Sequence, residues 1–124
     1  MKLNIFSPVK NLKIKYYSSN KVFTPTRTSV LIIKGIEKNK KLFSKYKTLI
    51  DLGCGTGVLG IYLKKIFKKM EISFSDESIS AINLTKKNIN YNKLDSSIFK
   101  SDLFKNIPDK NFDIIINDVA GISN

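Results

Sequence analysis

Apolar residues recur along this chain with two different periods, and the places where the period changes mark its elements. Leu12 to Tyr17 alternates lysine with apolar side chains, the period-2 pattern of a half-buried strand. A Ser-Ser-Asn turn follows, and Lys21 to Phe23 reads as a second short strand. Thr24-Pro25-Thr26 then offers a helix start, with Thr as cap and Pro near the first turn. From Arg27 to about Lys38, Val30, Ile33 and Ile36 fall on helical spacing. From residue 47 onward strands and helices alternate. Lys47 to Leu52 is an apolar run that ends in an acid and then glycines. Val58 to Met70 places Leu59, Tyr62, Leu63, Ile66, Phe67 and Met70 on one stripe, with Lys64, Lys65, Lys68 and Lys69 opposite as a solvated face. Glu71 to Asp76 predicts a strand. Ser78 to Tyr91 predicts a helix with Ile79, Ile82 and Ile89 on one side. Ser97 to Asp102 and Phe112 to Asn117 predict two more strands. The three consecutive isoleucines of the last suit burial on both faces. The short connection between those two strands, with Pro108 in it, predicts a loop or a single turn. This alternation implies an α/β fold with an open parallel sheet and flanking helices. Residues 1–46 form an N-terminal strand/helix segment packing on a core of residues 47–124.

The chemistry concentrates where the first core strand meets its helix. Asp51-Leu52-Gly53-Cys54-Gly55-Thr56-Gly57 sets glycine at every second position, which allows backbone conformations and close approaches that a Cβ would block. Backbone N–H groups at the helix N-terminus then face a ligand. Two ligands compete at this point. Gly55-x-Gly57-x-x-Gly60 fits a dinucleotide fingerprint, with Asp76 near the distance expected for a ribose contact. Against a dinucleotide, Asp51 precedes the glycines and would repel a pyrophosphate, whereas it suits a ligand carrying an ammonium group. No second mononucleotide-binding half follows.

Composition narrows the choice. With 124 residues the chain suits one domain. It has no histidine and one cysteine, Cys54, so a zinc site, an intramolecular disulfide and a histidine-based triad are all disfavoured. No metal is expected. The N-terminus lacks a long apolar stretch, and no apolar run approaches the roughly 20 residues of a membrane span, so a cytoplasmic protein is expected. The net charge of +12 invites a polyanionic partner, yet Arg27 is the only arginine, and the excess is also what an AT-rich coding sequence would produce.

Residues 48 to 117 resemble the class I, Rossmann-like S-adenosylmethionine-dependent methyltransferases. TLIDLGCGTGVLGIYL is similar to their first motif, and FSDESISAINLTKKNINYN to the strand-acid-helix segment after it. VFTPTRTSVLII, residues 22 to 33, resembles the leading segment of the small-domain subgroup, which includes release-factor glutamine and ribosomal RNA N-methyltransferases. The resemblance implies that Asp51, Gly53, Cys54, Gly55, Thr56 and Gly57 hold the methionine part of S-adenosyl-L-methionine. Asp76, with Glu77 beside it, would meet the ribose. SDLF, residues 101 to 104, implies that Asp102 meets the adenine amine and Leu103 the ring. FDIIIND resembles the fourth strand, whose end faces the methyl group and carries an Asn-Pro-Pro-aromatic motif in the subgroup. Here the matching residues are Asn117-Asp118-Val119-Ala120, so the Asn is kept and both prolines and the aromatic are absent. Asn117 and Asp118 are the candidate catalytic residues, with Asn117 also close to the cofactor. The family sheet has seven strands, so the resemblance implies a sheet incomplete after its fourth strand and a truncated chain. The expected activity is methyl transfer to a nitrogen of a translation component, an RNA base or a protein side-chain amide, with RNA, a ribosome or a translation factor as substrate. The alternative is a Rossmann-like module that binds and transfers nothing.

Overall fold

The structure, a computed structural model, describes residues 1–108 and 111–118. Two sheets are present among them. The first is an antiparallel hairpin of β1 (Lys2–Val9) and β2 (Leu12–Ser18). Asn11 sits in the two-residue turn at φ 72°, a conformation that asparagine tolerates better than most side chains. The register shifts between Phe6 and Val9, where Pro8 interrupts the ladder. The second sheet is parallel, in the order β5-β4-β3-β6, built from β3 (Thr48–Leu52), β4 (Glu71–Asp76), β5 (Ile98–Lys100) and β6 (Ile114–Ile116). The helices are α1 (Arg27–Lys38), α2 (Lys40–Phe43), α3 (Val58–Ile66) and α4 (Ile79–Tyr91). The α/β reading with an open parallel sheet therefore holds.

The core explains this arrangement. Leu49, Ile72 and Phe74 of the central strands bury against Val58, Ile61 and Tyr62 of α3. Phe6, Ile14 and Tyr16 of the hairpin join the same cluster, as do Ile33 and Ile36 of α1. Tyr62 ties the parts together: its ring meets Phe6 edge-on at 5.4 Å, and its hydroxyl donates to the Leu12 carbonyl at 2.7 Å. The opposite face of β3 presents Ile50 and Leu52, which pack with Ile107 and the partly buried Phe99, Phe104 and Phe112. The start of β6 is clamped to β3. Asp113 Oδ2 accepts the Lys47 and Thr48 amides at 2.8 and 3.2 Å, and Thr48 Oγ1 accepts the Asp113 amide at 2.9 Å.

Several expectations need correction. Lys21–Phe23 is turn and coil, not a strand; with the chain already committed to bending toward α1, Val22 buries singly against Ala81 and Leu84. The strand over residues 2–9 goes unannounced by pattern because its outward positions are apolar: Leu3 and Ile5 are exposed. The helix after the glycine loop ends at Ile66, and Phe67 and Met70 bury from the turn that follows. Lys64 and Lys65 are half-buried, with their ammonium groups on the carbonyls of Lys68 and Asn92 at 3.1 Å each, so that face is not simply solvated. Ile79 starts α4 facing solvent, apart from Ile82 and Ile89. Finally, β6 is an edge strand among the described residues, and Ile115 is 51% exposed, so the isoleucine strand is not buried on both faces.

Helix α3 lies unusually close to the sheet at Gly60. A Cβ there would sit 2.4 Å from Cε2 of the fully buried Phe74 and 3.2 Å from Asp51 Oδ2. Gly60→Ala should therefore destabilise the fold by about 1–3 kcal/mol through overpacking, seen as a lower urea midpoint. A midpoint equal to the parent's would mean that α3 can lift off the sheet without cost.

Candidate functional site

The turn from β3 into α3 takes five residues, Gly53 to Gly57, and three of them are glycines at φ +72°, +56° and +81°. Side chains are strained in that region, so the spacing of the glycines is a backbone requirement. The loop is tied down on all sides. Ser75 O accepts the amides of Gly53 and Cys54, both at 2.8 Å. Asp76 Oδ2 accepts the Gly55 amide at 3.0 Å, while its Oδ1 accepts the Ser78 amide at 3.0 Å. Asp76 thus joins the loop to the start of α4, in addition to whatever it offers a ligand.

A cavity of about 330 Å³ opens over this loop at the carboxyl end of the sheet. It brings together most of the residues singled out by sequence. Asp51, Gly53, Cys54, Gly55, Thr56, Asp76, Glu77, Asn117 and Asp118 all line it. Gly57 is not a lining residue; it is the N-cap of α3, and its missing Cβ lets Thr85 of α4 approach, since a Cβ would lie 2.8 Å from Thr85 Cγ2. Asp102 and Leu103 also lie outside the lining. They occupy the turn after β5, with Asp102 paired to Lys105 at 3.5 Å and Leu103 60% exposed at φ 53°. Val119 and Ala120 lie outside the described residues.

Four carboxylates face this one cavity: Asp51, Asp76, Glu77 and Asp118. Asp51 is 2% exposed, and its Oδ2 accepts the Gly60 amide at 3.1 Å. Burial pushes its carboxyl up to about 7, opposed by the Gly60 hydrogen bond and reinforced by the charges of Asp118 and Asp76. Asp118 Oδ2 takes a short hydrogen bond from the Ser29 hydroxyl, and its Oδ1 is buried without a partner among the described residues. Ser29 in turn accepts the Thr26 amide at 2.9 Å, which links the N-terminus of α1 to the end of β6. Asn117 is exposed at the rim, and its Oδ1 lies 3.5 Å from where a Cβ on Gly53 would stand. The Cys54 thiol is pushed well above its usual value by burial first and Asp51 second, and it contacts Thr85 Oγ1 at 3.3 Å. A protonated, enclosed thiol is not a nucleophile.

Sequence reasoning missed one wall of the cavity. Val22, Phe23, Pro25 and Ser29 come from the segment before and into α1. Phe23 is exposed, and an aromatic three residues before the helix cap Thr26 was the available signal. Among the described residues no group of three or more metal-ligating side chains is present, and no helix is long and apolar enough to cross a membrane.

Comparison with known proteins gives the arrangement a context. The family model described as methyltransferase small domain matches residues 14–118. The chain is 32% identical over 111 residues to ribosomal RNA small subunit methyltransferase C of Buchnera aphidicola subsp. Baizongia pistaciae, covering 84% of this chain and 34% of the relative. It is 37% identical over 89 residues to ribosomal RNA large subunit methyltransferase G of Shewanella woodyi, covering 72% of this chain and 20% of the relative. The chain thus spans about a third or less of these two relatives. Among solved structures, the T. thermophilus 16S rRNA methyltransferase in complex with AdoMet and guanosine shares the fold at 18% identity, with a TM-score of 0.78 over 94% of this chain and 33% of that one. A ribosomal protein L11 methylase from Lactobacillus delbrueckii subsp. bulgaricus matches at 26% identity, with a TM-score of 0.66 over 75% of this chain and 46% of that one.

The state of Asp51 is open to test. Its folded value, about 7, lies above the usual 3.8, so between those values the native chain holds a proton that the unfolded chain has released. Stability from this group is present at acidic pH and is lost as pH rises toward 7. Asp51→Asn removes the charge at nearly constant shape. Relative to the parent, it should gain stability between pH 5 and pH 8 in urea titrations. A constant difference across that range would mean that Asp51 ionises equally in both states.

Proposed function

This chain belongs to the methyltransferase small domain family, and we propose that it is the cofactor-binding core of an S-adenosylmethionine-dependent methyltransferase acting on a nitrogen of a translation component. The observation that carries this reading is the single cavity in which a glycine turn, four carboxylates and Asn117 meet. The names of its relatives support ribosomal RNA as the substrate. In this reading residues 1–46 are an N-terminal segment packed on a core of residues 47–124, in a cytoplasmic enzyme.

The residues present fit the cofactor. The turn offers a cradle that side chains would fill, and a buried carboxylate oxygen on Asp118 has no donor among the described residues. A sulfonium and an ammonium suit an acidic cavity, whereas a pyrophosphate does not. Bound there, S-adenosylmethionine supplies an electrophilic methyl group. Gly53, Cys54, Gly55 and Thr56 would cradle its methionine part, with Gly57 shaping the turn and Asp51 opposite the ammonium. An ammonium beside Asp51 would favour the ionised carboxylate, drawing down a pKa that burial has raised. Asp76 and Glu77 would take the ribose hydroxyls through lone pairs left over from the loop contacts. For the adenine, Asp102 and Leu103 stand at the same carboxyl edge, and an exposed leucine offers an apolar face to a planar ring.

Methyl transfer breaks the C–S bond, forms a C–N bond and releases a neutral thioether and one proton. It is an in-line displacement, so orienting the acceptor is the main task of the protein. Asn117 Oδ1 at the end of β6 would accept an acceptor N–H and direct the nitrogen lone pair toward the methyl. Asp118 Oδ1 would receive the departing proton. Neither step calls for histidine.

Isothermal titration with S-adenosylhomocysteine tests the reading directly, and saturable binding is expected. Gly55→Val should show no detectable heat, since a branched side chain at φ +56° is strained and its Cβ stands 3.4 Å from the Phe23 carbonyl. Binding of NADH in place of S-adenosylhomocysteine would overturn the assignment. Asp76→Ala should weaken binding by about 1.5–3 kcal/mol, the scale for hydrogen bonds to a charged group. Because Asp76 also holds Gly55 and Ser78, part of that loss should persist with a ligand analogue lacking the ribose hydroxyls. Loss confined to the hydroxyl-bearing ligand would mean that the loop contacts contribute nothing. Labelled-methyl incorporation into unmethylated ribosomal RNA separates an enzyme from a module that only binds.

A further inference from the structure

We propose that Thr85 and Asn88 of α4 are positioning residues for the cofactor loop, and that Asn88 couples this loop to the N-terminal hairpin. The proposal rests on the cofactor reading above. A turn with three glycines in the left-handed region has more conformational freedom to lose than any other five residues of the chain. Something outside the loop must restrict it if it is to meet a ligand preformed. Helix α4 does so through two consecutive carbonyls. The Thr85 hydroxyl donates to Gly55 O at 2.9 Å, and Asn88 Nδ2 donates to Thr56 O at 2.7 Å. The close approach that Gly57 permits brings Thr85 within reach.

Asn88 does more. It is 0% exposed, and its amide also serves Tyr17 on β2: Oδ1 accepts the Tyr17 N–H at 2.6 Å and Nδ2 donates to the Tyr17 carbonyl at 3.0 Å. The side chain therefore acts as one residue of a neighbouring strand for the hairpin while its other N–H holds the loop. Only a primary amide supplies an acceptor and two donors in this form at this size. Asn92, one turn on, donates to Lys15 O at 3.0 Å and so tethers the hairpin without reaching the loop. Ordering of the loop by ligand and docking of the hairpin are thus linked through one side chain, and such linkage is reciprocal.

Two measurements on the 124-residue chain test this. The first is S-adenosylhomocysteine affinity. Thr85→Val, close in volume but without the hydroxyl, should bind about tenfold more weakly, and Thr85→Ser should recover most of the loss. Unchanged affinity in Thr85→Val overturns the positioning role. The second is amide hydrogen exchange. In the parent, saturating ligand should slow exchange over residues 12–18 by about tenfold, within the usual span of coupling factors. Asn92→Ala should keep that protection, and Asn88→Ala should lose it while residues 53–57 remain protected. Slowing confined to residues 53–57 in the parent overturns the coupling, even if Asn88→Ala fails to fold. A ligand-free comparison stands apart from the cofactor reading. Asn88→Ala should speed exchange over residues 53–57 and Asn92→Ala should not. Equal rates in the two variants overturn the tether, whereas a parent that binds no S-adenosylhomocysteine overturns only the cofactor reading.

Discussion

The turn from β3 into α3 constrains the rest of the molecule. It must reverse from extended backbone to helix in five residues, and it does so with three glycines at positive φ. Two of them also meet a packing need. Gly57 admits Thr85, and through it α4, while Gly55 leaves room beneath the Phe23 carbonyl. The turn then carries α3 back along β3 so closely that Gly60 must also be glycine, now for want of space against Phe74 and not for φ. The dinucleotide fingerprint and the observed turn therefore share glycines for the same reasons of helix–strand approach. What distinguishes them is Asp51, whose carboxylate is buried under the helix it helps to seat.

Charge is segregated in this chain. The surface carries the excess that makes the net charge +12, while four of the ten acidic residues line one cavity in which Lys21 is the only basic side chain among the described residues. The low-dielectric walls of a cavity strengthen such a field locally, and the exposed lysines are screened by solvent and salt. A cationic small molecule and a polyanionic macromolecule can thus be attracted to neighbouring parts of one small domain without competing. A lysine excess arising from coding bias alone would not by itself place the acids together.

Much of this was readable from the sequence because the signals were local. Helix α1 announces itself through the Thr24-Pro25-Thr26 start and the spacing of Val30, Ile33 and Ile36, and the structure caps it at Thr26 and buries Ile33 and Ile36. The strand–glycine–helix order from residue 48 fixes the parallel sheet for the same reason. The hairpin strand over residues 2–9 was not readable, because Leu3 and Ile5 point outward and reverse the expected alternation. The tether at Asn88 was not readable either. An asparagine in a helix interior ordinarily reads as a solvated position, and its partners at Tyr17 and Thr56 are 71 and 32 residues away in sequence. Likewise the Ser29–Asp118 contact spans 89 residues, and no periodicity could join the first turn of α1 to the end of β6.

That contact bears on how a chain without the Pro-Pro-aromatic sequence could still hold a rigid strand end. Proline restricts the backbone after Asn117 by fixing φ. Asp118 cannot, yet its carboxylate is anchored to a buried serine that is itself fixed by the Thr26 amide. Restriction by a ring is thus exchanged for restriction by a hydrogen-bonded pair. The exchange has a chemical consequence that proline lacks. The second oxygen of Asp118 is left buried and, among the described residues, without a donor, beside a protonatable Asp51 whose value it raises. An unsatisfied carboxylate oxygen costs free energy until something donates to it. A ligand or acceptor bearing an N–H or a positive charge removes that cost on binding, so the strand end holds its shape by the same group that gives the cavity a reason to be filled.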